Sequence, residues 1–573
     1  MYDLKITGGT IIDGSGGPRR SGDVGIEDGR VVAIGDAPKE ARRVIDARNR
    51  VVAPGFVDVH THYDAQVLWD PLLTVSPWHG VTTVVMGSCG FGLAPTRPQG
   101  RSLILRTLER VEAMSLAALE AGIGPDWPFE TFPQYLDAIE ARGTAINTAV
   151  MIGHTPLRLY VMGEEAVERH ATTAEIAQMR AIVSDGLRAG AIAFATSVSQ
   201  AHVGFDGKPV PSRMASFEEV VELARGVRDA GSGIIHYNIL REPDYAAFET
   251  LQRESGATLC WTALLASQRG AGGHRDALAK SAALIARGLP IYPQTACRSI
   301  TMEYDFHSPV VYNSWKLFEP VHKTINDAER VALYADADFR HQFREEIAGR
   351  GGRDAYFSAG KGEGESRRAS WALTEVSDCQ SAPDLNGRRL ADIARERGVH
   401  AVDLLLDLAL DGKLDTKFRV PIVNFDEDEV QEILRDPNVV LGLGDGGAHL
   451  SQLCDACFST HLLGRWVRER KALSLERAVH MLSARPAGVF GIRDRGLLAA
   501  GRPADVVIFD PDSVGAGPLE RVYDLPAGAD RLISKPRGVD AVVVNGAVLP
   551  GPGESWPTGE ALPGRLLRNG AAR

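Results

Sequence analysis

Apolar and polar residues alternate through the first fifty positions of the chain. Residues 3–12, 22–26, 30–34 and 44–52 place apolar side chains at every second position, and turn sequences such as Asp13-Gly14-Ser15-Gly16-Gly17 and Glu27-Asp28-Gly29 separate them. The pattern predicts short strands. It returns near the other end of the chain at 504–510 and 539–546, where Gly and Pro flank runs of Val and Ile. Two terminal segments of one texture predict a small β-sandwich domain assembled from 1–54 and 492–573.

Between the two, short apolar runs alternate with helical periodicity, the mark of βα units around a parallel sheet. Candidate strands fall at 55–62, 81–87, 147–154, 191–197, 233–238, 257–263, 289–295 and 438–445. Eight such units predict an α/β fold with a (β/α)8 TIM-like barrel spanning 55–491. The regular spacing breaks only at 298–370, where Trp315, Phe318, Glu319 and Pro320 precede charged helical sequence. An excursion of that length predicts a lid-like insertion within the barrel.

The strand ends carry the candidate chemistry. In Pro54-Gly55-Phe56-Val57-Asp58-Val59-His60-Thr61-His62 the two histidines stand two apart, so a strand turns both imidazoles to one face, at the carboxyl end where barrels of this kind place their sites. Two imidazoles at one point suit Zn2+ better than they fill a core. The run Val439-Val440-Leu441-Gly442-Leu443-Gly444 ends in Asp445. As strand eight it lies beside strand one, so Asp445 reaches the same metal, where it can bind the ion and carry a proton between water and leaving group. Cys89, in Gly87-Ser88-Cys89-Gly90 after strand two, is either a further ligand or a small buried hydrophobe. His202 lies on a loop after strand four that faces the same mouth, and His449 follows Asp445 by four residues.

Composition narrows the class. The 573 residues carry a net charge of −11 without any basic run, which offers nothing to nucleic acid or an anionic membrane. No apolar run approaches the ~18 residues of a membrane span. Met1-Tyr2-Asp3-Leu4-Lys5-Ile6 reads as strand and not as a signal peptide, and six cysteines are too few for a disulfide framework. A cytoplasmic enzyme acting on a small molecule is expected. A homo-oligomer is compatible with the sequence but not indicated by it.

The phrases Ala53-Pro54-Gly55-Phe56-Val57-Asp58-Val59-His60-Thr61-His62, Gly87-Ser88-Cys89-Gly90, Gly153-His154-Thr155-Pro156-Leu157-Arg158, Gly444-Asp445-Gly446 and Ala484-Arg485-Pro486-Ala487-Gly488-Val489-Phe490-Gly491 resemble the amidohydrolase superfamily, in its N-acyl-D-amino-acid deacylase (D-aminoacylase) branch. The resemblance runs nearly end to end. It implies a hydrolase acting on carbon–nitrogen bonds other than peptide bonds. The implied reaction is attack on an amide by a metal-bound hydroxide, with Asp445 as general base and then acid. It also implies metal ligands at His60, His62, Cys89 and Asp445, and pocket-lining roles for His154 and Arg158. The family's strand-five and strand-six histidines do not carry over. By register the first falls on Asn238, a hydrogen-bond partner for substrate, with His236 two residues deeper as a supplementary ligand. The second falls in Cys260-Trp261-Thr262-Ala263. One Zn2+ per chain, held on the strand-one side, is the expectation. Opening of a cyclic amide or lactone, deamination, and a binding paralogue with altered chemistry are the alternatives.

Overall fold

The computed structural model describes residues 1–239, 242–312, 315–324, 326–349 and 373–572. They form two compact units. The first comprises Met1–Leu264, Ala277–Cys297 and Leu434–Arg573, and the second Leu265–Asp276 and Arg298–Ile433.

The first unit contains the eight expected parallel strands. Strands one to eight are Phe56–Asp58, Val81–Met86, Asn147–Gly153, Ala193–Ser197, Ile234–Asn238, Leu259–Thr262, Ile291–Thr295 and Val440–Leu441. Each pairs with the next in sequence order, and every pair is parallel. Strands two and three are buried at every position, because helices cover one face and the barrel interior the other. The connecting helices start where the sequence supplies a cap. Thr172 and Glu175 form a reciprocal capping box for Thr173–Ala189, and Ser216 caps Phe217–Ala230. Beyond the last strand the chain returns to the first: Asp445 N–H donates to the His60 carbonyl (3.1 Å) and His62 N–H to the Gly446 carbonyl (2.8 Å). The (β/α)8 barrel is thereby closed.

Both termini share a second sheet. Val51–Pro54 lies between Tyr2–Ile11, which it meets in parallel, and Val506–Phe509, which it meets antiparallel. Leu4, Ile6, Val24, Ile26, Val52, Val506, Ile508 and Val543 fill its core. Val51–Pro54 runs directly into strand one, so this sheet sets the barrel's entry. A buried polar network reinforces the junction. The Asn147 amide at the foot of strand three donates to Asp505 (2.8 Å) and to the Thr82 carbonyl (2.9 Å), and its oxygen accepts from Asn545 (2.8 Å) and from the Arg565 N–H (3.1 Å). Arg495 pairs with Asp505 at 2.6 Å, with both side chains almost wholly buried. Leu567, near the C-terminus, packs into the same apolar cluster as Val57, Val85 and Met151 of the barrel.

The second unit is built on a three-stranded antiparallel sheet in which Lys417–Val423 lies between Ile300–Tyr304 and Glu375–Asp378. Phe306, Tyr312, Trp315, Phe318, Tyr334 and Phe343 form its aromatic core. The segment of this unit that starts at Arg298 runs to Ile433. Its first strand is completed only by 417–423, so the sheet cannot form from a shorter segment. Residues 350–370 of the expected insertion lie outside the described residues. Among the described residues no helix is long and apolar enough to cross a membrane.

Removing one member of a buried ion pair leaves the other unpaired in a low-dielectric interior, at a cost of about 3–5 kcal/mol. Arg495→Met is therefore expected to lower the thermal midpoint markedly. Arg48→Ala, which breaks an exposed pair with Asp46, should leave it unchanged in the same calorimetric scans.

Candidate active site

The backbone continues past strand one, with Thr61 N–H on the Val85 carbonyl, so His60 and His62 keep the alternation of a strand and face the barrel mouth together. His60 Nε2 lies 3.4 Å from Cys89 Sγ and 3.5 Å from Asp445 Oδ1. His62 Nε2 lies 3.8 Å from the same carboxylate oxygen. One donor atom each of His60, His62 and Cys89 falls within 4.8 Å of the others, and all three residues are buried. Cys89 and Asp445 reach this point through left-handed backbone, with φ of 58° and 45°. Such values are uncommon outside glycine and mark positions that the surrounding structure holds under strain. Gly447 makes the return loop feasible: at φ 88°, a Cβ there would stand 2.6 Å from the His62 carbonyl oxygen.

The outward nitrogens are also engaged. His60 Nδ1 is 2.7 Å from Gln294 Oε1, on strand seven, and His62 Nδ1 is 3.1 Å from Glu112 Oε1. With Nδ1–H donated outward, each ring turns its Nε2 lone pair into the site, the arrangement that metal-binding histidines adopt. The Asn238 amide donates to Cys89 Sγ at 2.9 Å. His202 Nδ1 meets Ser197 Oγ at 2.8 Å, and its ring packs 5.1 Å from Phe91, which in turn lies 6.4 Å from His62. His449 donates its N–H to the Glu112 carbonyl at 2.5 Å.

Three residues are placed otherwise than the sequence suggests. His236 is not part of the converging set: it sits one layer deeper, edge-on to His60, with Nε2 3.4 Å from Gln294 Oε1. His154 and Arg158 do not line the mouth. His154 binds Thr196 (2.8 Å) and Glu219 (2.9 Å), while Arg158 binds Glu219 (2.6 Å) and the carbonyls of Ala166 and Arg169. All three side chains of that triad are at most 1% exposed. Glu219, absent from any sequence motif, explains the difference by supplying the charge that buried Arg158 needs and a partner for the His154 ring.

Glu112 and Gln294 were not singled out by sequence. The signal for Glu112 was a carboxylate on the apolar face of Arg101–Glu112, alongside Ile104, Leu108 and Val111. Gln294 was a polar residue in an otherwise apolar strand.

Burial governs the electrostatics. It lowers His60 to about 4 and His202 and His236 to about 3, so the imidazoles are neutral and ready to donate a lone pair. It raises Asp445 to about 6, and it pushes the Cys89 thiol upward, an effect that the Glu112 and Asp445 charges reinforce. A thiolate and a carboxylate packed together beside neutral imidazoles are compatible with burial only around a cation. The donor set therefore fits a divalent metal ion.

A closed (β/α)8 barrel with imidazole, thiol and carboxylate donors converging at its carboxyl end defines a hydrolase of the amidohydrolase kind. The chain belongs to the amidohydrolase family, whose model matches residues 43–550. It is an enzyme acting on carbon–nitrogen bonds other than peptide bonds. Among its relatives, the N-acyl-D-glutamate deacylase of Alcaligenes xylosoxydans xylosoxydans is 31% identical, over 100% of this chain and 97% of the relative. A solved D-aminoacylase, described for one-metal activation and second-metal attenuation at a binuclear centre, superposes with a TM-score of 0.64 at 26% identity, covering 99% of this chain and 100% of that one. The N-acyl-D-glutamate deacylase of Bordetella bronchiseptica, solved with zinc and a phosphonate inhibitor, gives 0.63 at 28% identity, over 99% of both chains.

In metal-stripped protein, burial holds Asp58 at about 8 and Asp64 at about 7. The folded state thus retains protons that the unfolded chain has released, and stability is lost as pH rises through these values. The depressed imidazoles act oppositely, but only below about pH 6.5, where the unfolded chain takes up protons that the folded one refuses. The thermal midpoint of stripped protein is expected to fall from pH 6.5 to 8. A midpoint that rises across that window would contradict these assignments.

Proposed function

We propose that the protein is a deacylase of N-acyl-D-amino acids that uses a single Zn2+ held by His60, His62, Asp445 and Cys89. The observation that carries this reading is the convergence of both Nε2 atoms on Asp445, with Cys89 against His60 and the opposite ring nitrogens tied outward. Among the described residues, no other group of three metal-ligating side chains converges in this way. The single-ion count is supported by the strand-five position, where an amide bonds to Cys89 in place of an imidazole, and by strand six, which ends Cys260-Trp261-Thr262 without a histidine. The substrate class is supported by the named activities of the relatives, and it makes the partner a small molecule.

Zn2+ supplies Lewis acidity toward the amide carbonyl and acidifies a water. The chain's own residues do the rest. Asp445 takes the proton of the attacking water at its carboxylate and returns it to the departing nitrogen. Asn238, half-buried at the end of strand five, offers an amide for the substrate, and His202, held by Ser197, borders the mouth. Phe91 is 2% exposed and walls the same side against water.

Elemental analysis of purified protein is expected to give about one equivalent of metal, lost in His60→Ala and raised toward two in Asn238→His. Metal-free wild type would overturn the reading, and two equivalents in wild type would overturn the count. Asp445→Asn should lower kcat by about 10²–10⁴-fold. In a screen of N-acyl-D-amino acids, N-acyl-L-amino acids and cyclic amides, cleavage of the D series alone is expected. Turnover confined to either other group would reject the substrate class.

A further inference from the structure

The helix Arg101–Glu112 buries Ile104, Leu105, Leu108 and Val111, and Glu112 ends it on the same face. Its side chain is only 4% exposed. A carboxyl group in that position is costly unless it is bonded, and the side chain makes one such contact while the backbone of the same residue makes another. Its Oε1 lies 3.1 Å from His62 Nδ1. Its carbonyl oxygen accepts the His449 N–H at 2.5 Å. His449 closes the turn that begins at Asp445, where Ala448 N–H bonds back to the Asp445 carbonyl and both Asp445 and His449 are left-handed. One residue therefore grips a side chain from the strand-one segment and the backbone of the loop after strand eight.

We propose that Glu112 is a positioning residue for the amide-hydrolysing site: its side chain fixes His62 in the ring orientation and tautomer that present Nε2 to Asp445. The proposal rests on the reading that His60 and His62 hold an ion. The two imidazoles are not equivalent. Behind His60 stands Gln294, a neutral amide, whereas behind His62 stands the Glu112 carboxyl group, whose burial, with the Asp445 and Asp64 charges nearby, favours the protonated form while no ion is bound. A cation in the site would favour the ionised form of Glu112, and a carboxylate behind the ring would then make His62 the more basic donor. A merely structural glutamate would support the fold and leave the state of the ring unchanged.

The test compares full-length wild type, Glu112→Gln and Glu112→Ala by two measurements. One is Zn2+ affinity in competition with a chromophoric chelator, and the other is the His62 tautomer from ¹⁵N shifts in metal-free protein. Glu112→Ala is expected to weaken affinity by about 10–100-fold and to abolish the predominance of the Nδ1–H tautomer. Glu112→Gln keeps an acceptor oxygen without the charge, so it should preserve the tautomer while weakening affinity toward the lower end of that range. Wild-type affinity and tautomer in both variants would overturn the proposal. If Glu112→Ala does not fold, Glu112→Gln decides alone, and an unchanged affinity overturns it. If wild type takes up no Zn2+, the metal reading falls, and the tautomer comparison still decides the role of Glu112.

Discussion

Two backbone hydrogen bonds hold the whole site together. Asp445 N–H meets the His60 carbonyl and His62 N–H meets the Gly446 carbonyl, and so the far end of the barrel is laced to its beginning. A parallel sheet that adds strands in chain order carries its first and last members further apart in sequence with every unit, yet curvature must bring them back together in space. Closure thus delivers a carboxylate from the end of the fold to imidazoles from its start. The loop has little freedom in how it does so. Asp445 is left-handed, and the approach of Gly447 to the His62 carbonyl excludes a side chain. Strain at the return loop is the consequence of placing Asp445 Oδ1 within 4 Å of both ring nitrogens.

The electrostatic character of the site follows from what stands behind its donors. Imidazoles, a thiol and a carboxylate are buried together, and burial keeps the rings neutral and the thiol protonated in the absence of an ion. The triad of His154, Arg158 and Glu219, also beneath the barrel mouth, draws on similar residue types to a different end. There Glu219 meets both the His154 ring and the Arg158 guanidinium at hydrogen-bond distance. What distinguishes a ligand set from a structural ion pair is direction. In the first, ring nitrogens are tied outward and lone pairs converge; in the second, the polar groups point at one another.

That distinction also sets what could be read in the sequence. The eight strands were legible because each is an apolar run bounded by turn residues, and their number alone called for a closed barrel. His60, His62 and Asp445 were legible because strand alternation and ring closure fix where those side chains point before any tertiary detail is known. His154 and Arg158 were misplaced for the opposite reason. Their surroundings are decided by Glu219, about sixty residues later on a helix whose rotation about its axis the sequence does not state. Glu112 and Gln294 were missed because a carboxylate or amide that backs a histidine has no motif of its own; only the misfit of a polar residue on an apolar face points to it. The extent of the second unit was hidden because its strands pair across more than a hundred residues.

The replacement of an imidazole by Asn238 bears on what such a site can do. The amide directs an N–H toward Cys89 Sγ, so on the single-ion reading proposed above the sulfur meets the positive end of an amide dipole. A hydrogen bond to sulfur also draws charge off a thiolate and weakens it as a bridge between two cations. An imidazole lone pair in that place would attract a second ion, whereas an N–H repels it. On the function proposed above, the barrel mouth divides into an ion-holding side, formed by the chain after strand one and the loop after strand eight, and a hydrogen-bonding side at strand five. A substrate held by the amide on one side would present its carbonyl to the other, so the loss of a ligand and the gain of a substrate contact are a single change.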